Sequence, residues 1–229
     1  MELDEAEQAA FGGGSSIGPS GMGASNDDSP RSAADIWEFQ VHSQYGNLLK
    51  FARENDCLLS GRLNHLVQES HVGMEHVAFR EPITGRIWKS TFPDQAGFGP
   101  AGYSTPIGYF RRLRLSNRVF GDDVRFEGIW KRPEGLSILT SQRYIFPDPE
   151  TGMPTEAEIS NWMKALGFEW SDEHSGFIRE TDEVLVQDTH RRNYIRAIDG
   201  EIYAIDVQPR LPKGREIEDA IPFNEAIKS

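Results

Sequence analysis

The segment from Leu185 to Asp206 constrains the chain most, because it holds the strongest short hairpin signal, Asp199-Gly200 between the apolar-rich runs Tyr194 to Ile198 and Glu201 to Asp206. Both turn residues tolerate the positive φ angles that a two-residue turn requires. With that turn Ile198 faces Glu201, Ile195 faces Ala204 and Asn193 faces Asp206, and directly opposed residues have Cβ atoms roughly 4.5–5.5 Å apart. An amide oxygen and a carboxylate are therefore expected to converge at the open end of the hairpin, with Asp188 a short step upstream of Asn193. Such an oxygen cluster suits a hard cation such as Mg²⁺, which is held by one or two carboxylates together with substrate phosphates. The same residue types also cap turns through side-chain to backbone hydrogen bonds, so Asp-x-x-x-x-Asn alone decides nothing. His190 reads as a solvated loop histidine, and no second His stands at the spacing of a zinc site.

A chain of 229 residues can bury one good core or two small lobes, and 38% apolar with 10% aromatic residues is a globular composition. The net charge of −12 is uneven: residues 1–35 hold seven acids and one base, leaving 29 acids against 23 bases in the remainder. Such a surface lacks the basic stripe that counterion release requires, so nonspecific nucleic-acid binding is disfavoured. Cys57 is the sole cysteine, which excludes an intrachain disulfide and fits a reducing cytoplasm. No apolar run approaches the ~20 residues of a membrane span, and no basic segment precedes an apolar one as in a signal peptide. A cytoplasmic location without membrane or nucleic-acid partners is the expectation.

The Gly/Ser-rich text from Gly12 to Ser32 buries too little apolar surface to offset ordering entropy, so residues 1–33 are expected to form a disordered acidic leader. Residues 34–141 then read as an N-terminal lobe and 142–229 as a C-terminal one. Helix periodicity runs from Ile36 to Ala52, and a strand pair from Leu66 to Phe79 turns around Gly73, where glycine lets backbone approach a ligand. Thr84-Gly85 leads into a strand with Lys89 near its exit, either a phosphate contact or an edge-strand lysine that discourages aggregation. Thr105 and Gly121 bound a helix that carries Arg111, Arg112, Arg114 and Arg118 but no Glu. Strands over Val124 to Trp130 and Leu136 to Thr140 follow, the second leaving through Ser141-Gln142-Arg143. Thr155 with Glu158 forms a capping box before a helix whose Ile159, Trp162, Met163 and Leu166 belong to a core.

This linear order, with Gly73-Met74-Glu75-His76-Val77, Thr84 to Thr91, Phe120 to Asp123, Thr140-Ser141-Gln142, Asp188 to Asn193 and Ile205-Asp206, resembles the compact serine/threonine/tyrosine kinase-like domains of polyvalent proteins of phages and mobile elements. The resemblance spans roughly residues 45–210, with the order of parts that kinase chemistry uses. It implies an α+β, two-lobed protein kinase-like fold with an antiparallel N-lobe sheet and a reduced C-lobe. An ATP–Mg²⁺ cleft would lie between about residues 60–141 and 142–210. By the same resemblance Asp188 is the base, Lys89 orients phosphates, Gly73, Glu75 and Gln142 are further nucleotide contacts, and Asn193 and Asp206 hold the metal. Glu75 or Glu127 stands in for the glutamate that the arginine-bearing helix lacks, and the acceptor is a protein of the host cell. The family's His-Arg before the base is Val186-Gln187 here, its Phe-Gly after the second metal ligand is Val207-Gln208, and a short tail follows Asp206. Two other readings are a pseudokinase or interaction module without turnover, and a metal-dependent phosphodiesterase using Asp188, Asp206 and Glu127, which the acidic surface disfavours.

Overall fold

The computed structural model describes residues 1–12, 32–61, 63–99 and 102–228. In chain order these form α1 (Leu3–Phe11), α2 (Ala33–Glu54), β1 (Leu58–Ser60), β2 (Val67–Val72), β3 (His76–Arg80), β4 (Arg86–Thr91), β5 (Phe98–Gly99), β6 (Gly102–Tyr103), α3 (Pro106–Phe120), β7 (Arg125–Arg132) and β8 (Gly135–Arg143). There follow α4 (Glu156–Ala165), β9 (Glu169–Ser171), β10 (Gly176–Arg179), β11 (Val184–Gln187), β12 (Tyr194–Arg196), β13 (Ile202–Ala204), β14 (Gln208–Arg210) and α5 (Phe223–Ala226). The mixture of helices and mostly antiparallel sheets is α+β, compatible with a kinase-like fold. Among the described residues no helix is long and apolar enough to cross a membrane.

The chain divides into two compact units: Met1–Pro82, Trp88–Phe110 and Arg125–Ser141 in the first, and Ile83–Ile87, Arg111–Val124 and Gln142–Ser229 in the second. The first is built on a six-stranded sheet in the order β1-β7-β8-β4-β3-β2. Its β1 edge runs parallel to β7, with Leu58 beside Ile129 and Ser60 beside Lys131, which corrects the expectation of a purely antiparallel sheet. No hairpin joins these two strands, so nothing forces the antiparallel sense that a tight turn imposes. Their close approach needs Gly128, whose φ is 142° and where a Cβ would stand 2.1 Å from the Cys57 carbonyl oxygen. Against the sheet, Phe51 of α2 and Phe110 of α3 set their rings on Phe126 at centroid distances of 6.4 and 5.6 Å. A second cluster gathers Leu66, Phe79, Trp88 and Leu139.

The N-terminal residues depart from the expected disorder. Leu3, Ala6 and Ala10 recur at helical spacing and are buried, so α1 packs one apolar face even though it is acidic elsewhere. Asn47 of α2 donates its Nδ2 to the Ala10 carbonyl at 3.0 Å, satisfying an end of α1, and the Phe126 amide donates to the Met1 carbonyl at 3.2 Å. The Gly/Ser-rich composition that suggested a leader begins only at Gly12; residues 13–31 lie outside the described ones.

In the second unit a four-stranded sheet, β14-β11-β10-β9, is antiparallel throughout, and β12–β13 form a separate hairpin. Met163, Leu166, Phe168, Phe177, Val184, Val186 and Tyr194 make its core. The capping box of α4 is present, with Thr155 Oγ1 accepting from the Glu158 amide at 3.3 Å and Glu158 Oε2 accepting from the Thr155 amide at 2.8 Å. Arg179 and Asp182 are fully buried as a pair: Nε donates to Oδ1 at 2.9 Å and Nη2 to Oδ2 at 2.7 Å. The remaining Arg179 donors reach the Leu166 and Ile221 carbonyls at 3.2 and 3.0 Å, and the Ile221 amide donates to Asp182 Oδ2 at 2.7 Å. This network ties the C-terminal segment to the sheet.

Candidate functional site

The loop that carries Asp188 begins where β11 ends. That strand is inner, flanked by β10 and β14, and its Val184, Leu185 and Val186 are buried, so the residues leaving it start from a fixed base. Asp188 itself has φ 53°, a left-handed conformation that few residues other than Gly, Asn and Asp adopt readily. Asn193 is buried and donates its Nδ2 to the Asp188 carbonyl at 2.7 Å, closing the loop, while the Asn193 amide donates to the His190 carbonyl at 2.8 Å. Arg191 Nε donates to the Pro154 carbonyl at 2.8 Å and holds the loop's middle. With its backbone fixed, the Asp188 side chain remains one third exposed, and His190, itself 70% exposed, places Nε2 3.8 Å from Oδ1. The Tyr194 hydroxyl is pushed well above its ordinary range, by burial first and by the Asp188 charge second, and it has no hydrogen-bond partner among the described residues.

The hairpin register differs from the expected one by a residue. Tyr194 pairs with Ala204, Ile195 with Tyr203 and Arg196 with Ile202. Asp199-Gly200 is therefore not a two-residue turn: the loop is Ile198-Asp199-Gly200, closed by Gly200 N–H to the Ala197 carbonyl and Ala197 N–H to the Glu201 carbonyl, both at 2.9 Å. Gly200 adopts the left-handed conformation with φ 85°, as the last residue of a three-residue hairpin loop does. Asp199 favours this form by accepting from the Glu201 amide at 3.0 Å and the Tyr203 hydroxyl at 2.9 Å. Asn193 consequently sits opposite Ile205, whose amide donates to the Asn193 carbonyl at 2.9 Å. Asp206 lies one residue further on, exposed, in the bend before β14. A one-residue slip moves side chains to the other face, so the pairing argument for Asn193 with Asp206 fails.

In the first unit Lys89 lies on β4, an inner strand between β8 and β3, which removes the edge-strand explanation. Strand alternation turns Lys89 away from buried Trp88 and toward the side of Thr91, whose Oγ1 accepts from the Ile138 amide at 3.0 Å. Gly73 opens the β2–β3 turn, where its amide donates to the His76 carbonyl at 3.0 Å and Met74 at the tip is exposed. Behind the turn, buried His76 has Nε2 2.8 Å from the Tyr109 hydroxyl and Nδ1 3.9 Å from a Glu75 carboxylate oxygen. This Glu75–His76–Tyr109 group escaped sequence reading, because nothing local links positions so far apart. Glu127 occupies the irregular step of β7 and accepts from the Ser141 hydroxyl at 2.5 Å. Gln142, in the second unit, is half-buried and stands one residue beyond Ser141, where the pairing of β8 with β7 ends. Gln187, where the family motif would carry Arg, instead donates Nε2 to the His174 carbonyl at 2.9 Å.

A family model described as a serine/threonine/tyrosine kinase found in polyvalent proteins matches residues 42–213, three quarters of the chain and a span that includes Lys89, Asp188, Asn193 and Asp206. No curated protein matches the chain.

Proposed function

Because the chain belongs to the family of serine/threonine/tyrosine kinases found in polyvalent proteins, we propose that it transfers the γ-phosphoryl group of ATP to a hydroxyl group of a protein in the host cell. The observation that carries this reading is the Asp188 loop. A carboxylate on a rigid strand end, its carbonyl locked by Asn193 and its side chain still reached by solvent, is built to meet an incoming group rather than to brace the fold. Asp188 orients the acceptor hydroxyl and takes its proton as the new O–P bond forms and the bond to the β-phosphate oxygen breaks. Lys89 offers an ammonium to the phosphates from a strand held on both sides. The family motif, and no longer the hairpin register, is what assigns Mg²⁺ to Asn193 and Asp206; their oxygen chemistry suits it, since Asn193 spends its Nδ2 on Asp188, which leaves Oδ1 as the acceptor, and Asp206 is an exposed carboxylate. When bound, the ion would supply charge neutralisation on the phosphates.

A second reading, a binding module without turnover, is favoured by Gln187, whose amide is committed to the His174 carbonyl, and by the absence of Glu from α3. Labelled ATP with Mg²⁺ and a host-cell lysate separates the two. Transfer of label by the wild type and its loss in Asp188→Asn supports the enzyme, whereas no transfer together with stabilisation by Mg-ATP supports the module. Saturation at a hundredfold excess over Kd would stabilise the native state by about 2.7 kcal/mol.

A further inference from the structure

The second unit carries an apolar platform that the proposed reaction does not use. Pro147 and Ala197 form an antiparallel bridge, the Ile198 amide donates to the Phe146 carbonyl at 3.1 Å, and the Asp148 amide donates to the Arg196 carbonyl at 2.9 Å. Residues 146–148 thus lie alongside the first arm of the hairpin. Ala197 is buried, so alternation turns the neighbouring pair, Phe146 and Ile198, to the opposite side. There they are 60% and 69% exposed. Tyr144 sets its ring edge-on to Phe146 at a centroid distance of 4.8 Å and extends the surface. Single exposed apolar residues are ordinary, but two opposed ones backed by a third ring form a continuous patch.

The flanks of this patch are acidic. Asp148, Glu150, Asp199 and Glu201 adjoin it in sequence, against Arg143, which lies over the Tyr203 ring at 5.2 Å, and Arg196, which is bound to Glu158 at 2.6 Å. Two of the carboxyls are held below the usual carboxylate range: Asp148 by the Thr151 hydroxyl and the Glu150 amide, and Asp199 by the Glu201 amide and the Tyr203 hydroxyl. At neutral pH the rim is therefore negative around an apolar centre.

We infer that this face docks a segment of a partner protein that presents large apolar side chains among Lys or Arg residues. An apolar centre supplies the anchor, and a rim of one sign selects a partner of the other. A second copy of this chain fits poorly, because an isologous contact would lay one acidic rim against another. The proposal stands on the patch alone and does not depend on phosphoryl transfer.

Three fluorescein-labelled heptapeptides test it on the full chain by fluorescence polarisation: Leu and Phe alternating with Lys, the same peptide with Ser for Leu and Phe, and the same with Glu for Lys. The first should bind at least about tenfold more tightly than either control, weaken as salt rises, and lose about tenfold in affinity to Ile198→Asp and to Phe146→Ser. Equal binding of the Ser peptide, or retention of affinity in both variants, overturns the inference. So does concentration-dependent self-association of the chain that Ile198→Asp abolishes, which would make the patch a homodimer contact. The wild-type comparison of the three peptides decides the matter even if a variant folds poorly.

Discussion

Two aspartates stand near opposite ends of β11 and do opposite things. Asp182, before the strand, is fully buried and saturated: Arg179 binds both oxygens and the Ile221 amide adds another bond. Asp188, after the strand, gives its carbonyl to Asn193 and keeps its carboxylate one third exposed. One carboxylate is consumed by the fold and the other is presented by it. A charge near a strand end therefore says little by itself; the donors around it decide whether it braces the fold or stays open to solvent.

The contrast is most easily broken at Asp182. Asp182→Ala leaves the Arg179 charge buried without its partner, and loss of one member of such a pair costs about 3–5 kcal/mol. Urea unfolding should show that loss, and a change under about 1 kcal/mol would mean that Asp182 is not the brace described. Asp188→Asn should do the reverse. Asn accepts the left-handed backbone as readily as Asp, so stability should stay within about 0.5 kcal/mol. Phosphoryl transfer, read with labelled ATP, should fall at least about a hundredfold because the proposed base is gone. Wild-type rates in this variant would reduce Asp188 to a loop residue.

Two smaller effects sharpen the comparison. Asn193→Ala removes the bond that closes the Asp188 loop and should cost about 0.5–1.5 kcal/mol. It should also diminish the stabilisation by Mg-ATP seen in thermal melting, since the same side chain is the proposed metal ligand. Thr155→Ala removes one arm of the α4 cap and should cost about 1 kcal/mol with transfer unaltered. If it slows transfer, the anchoring of the loop through the neighbouring Pro154 matters to the loop's position as well as the closure at Asn193.

Features written in neighbouring residues were legible in the sequence. The Thr155–Glu158 box, the Thr105 start of α3 and the β7–β8 hairpin each depend on contacts within a few positions and each is present, the hairpin with a tighter turn at Pro133-Glu134 than the expected loop from Lys131 to Gly135. The turn at Asp199-Gly200 was legible as a turn but not in its length. Asp-Gly serves two- and three-residue loops alike, and the choice rests on Asp199 reaching both the Glu201 amide and the Tyr203 hydroxyl. That single residue of ambiguity moved Asn193 from Asp206 to Ile205. Longer reaches were silent: the β11–β14 pairing, the Arg179 bonds to Leu166 and Ile221, and the His76–Tyr109 contact have no local signature. The α1 helix is hidden for another reason: its apolar face, Leu3, Ala6 and Ala10, is short and runs directly into a glycine-rich segment whose composition dominates the N-terminal residues.

The parallel pairing of β1 with β7 has a consequence in time. Leu58 meets Ile129, 71 residues later, so a ribosome adding about 5–20 residues per second leaves β1 without its neighbour for roughly 4–14 s. Until Lys131 has emerged, the edge of the first sheet cannot close, and Phe51 of α2 must wait for Phe126. Translation speed across residues 60–131 thus sets how long apolar surface in the nascent chain is open to chaperones or to other chains.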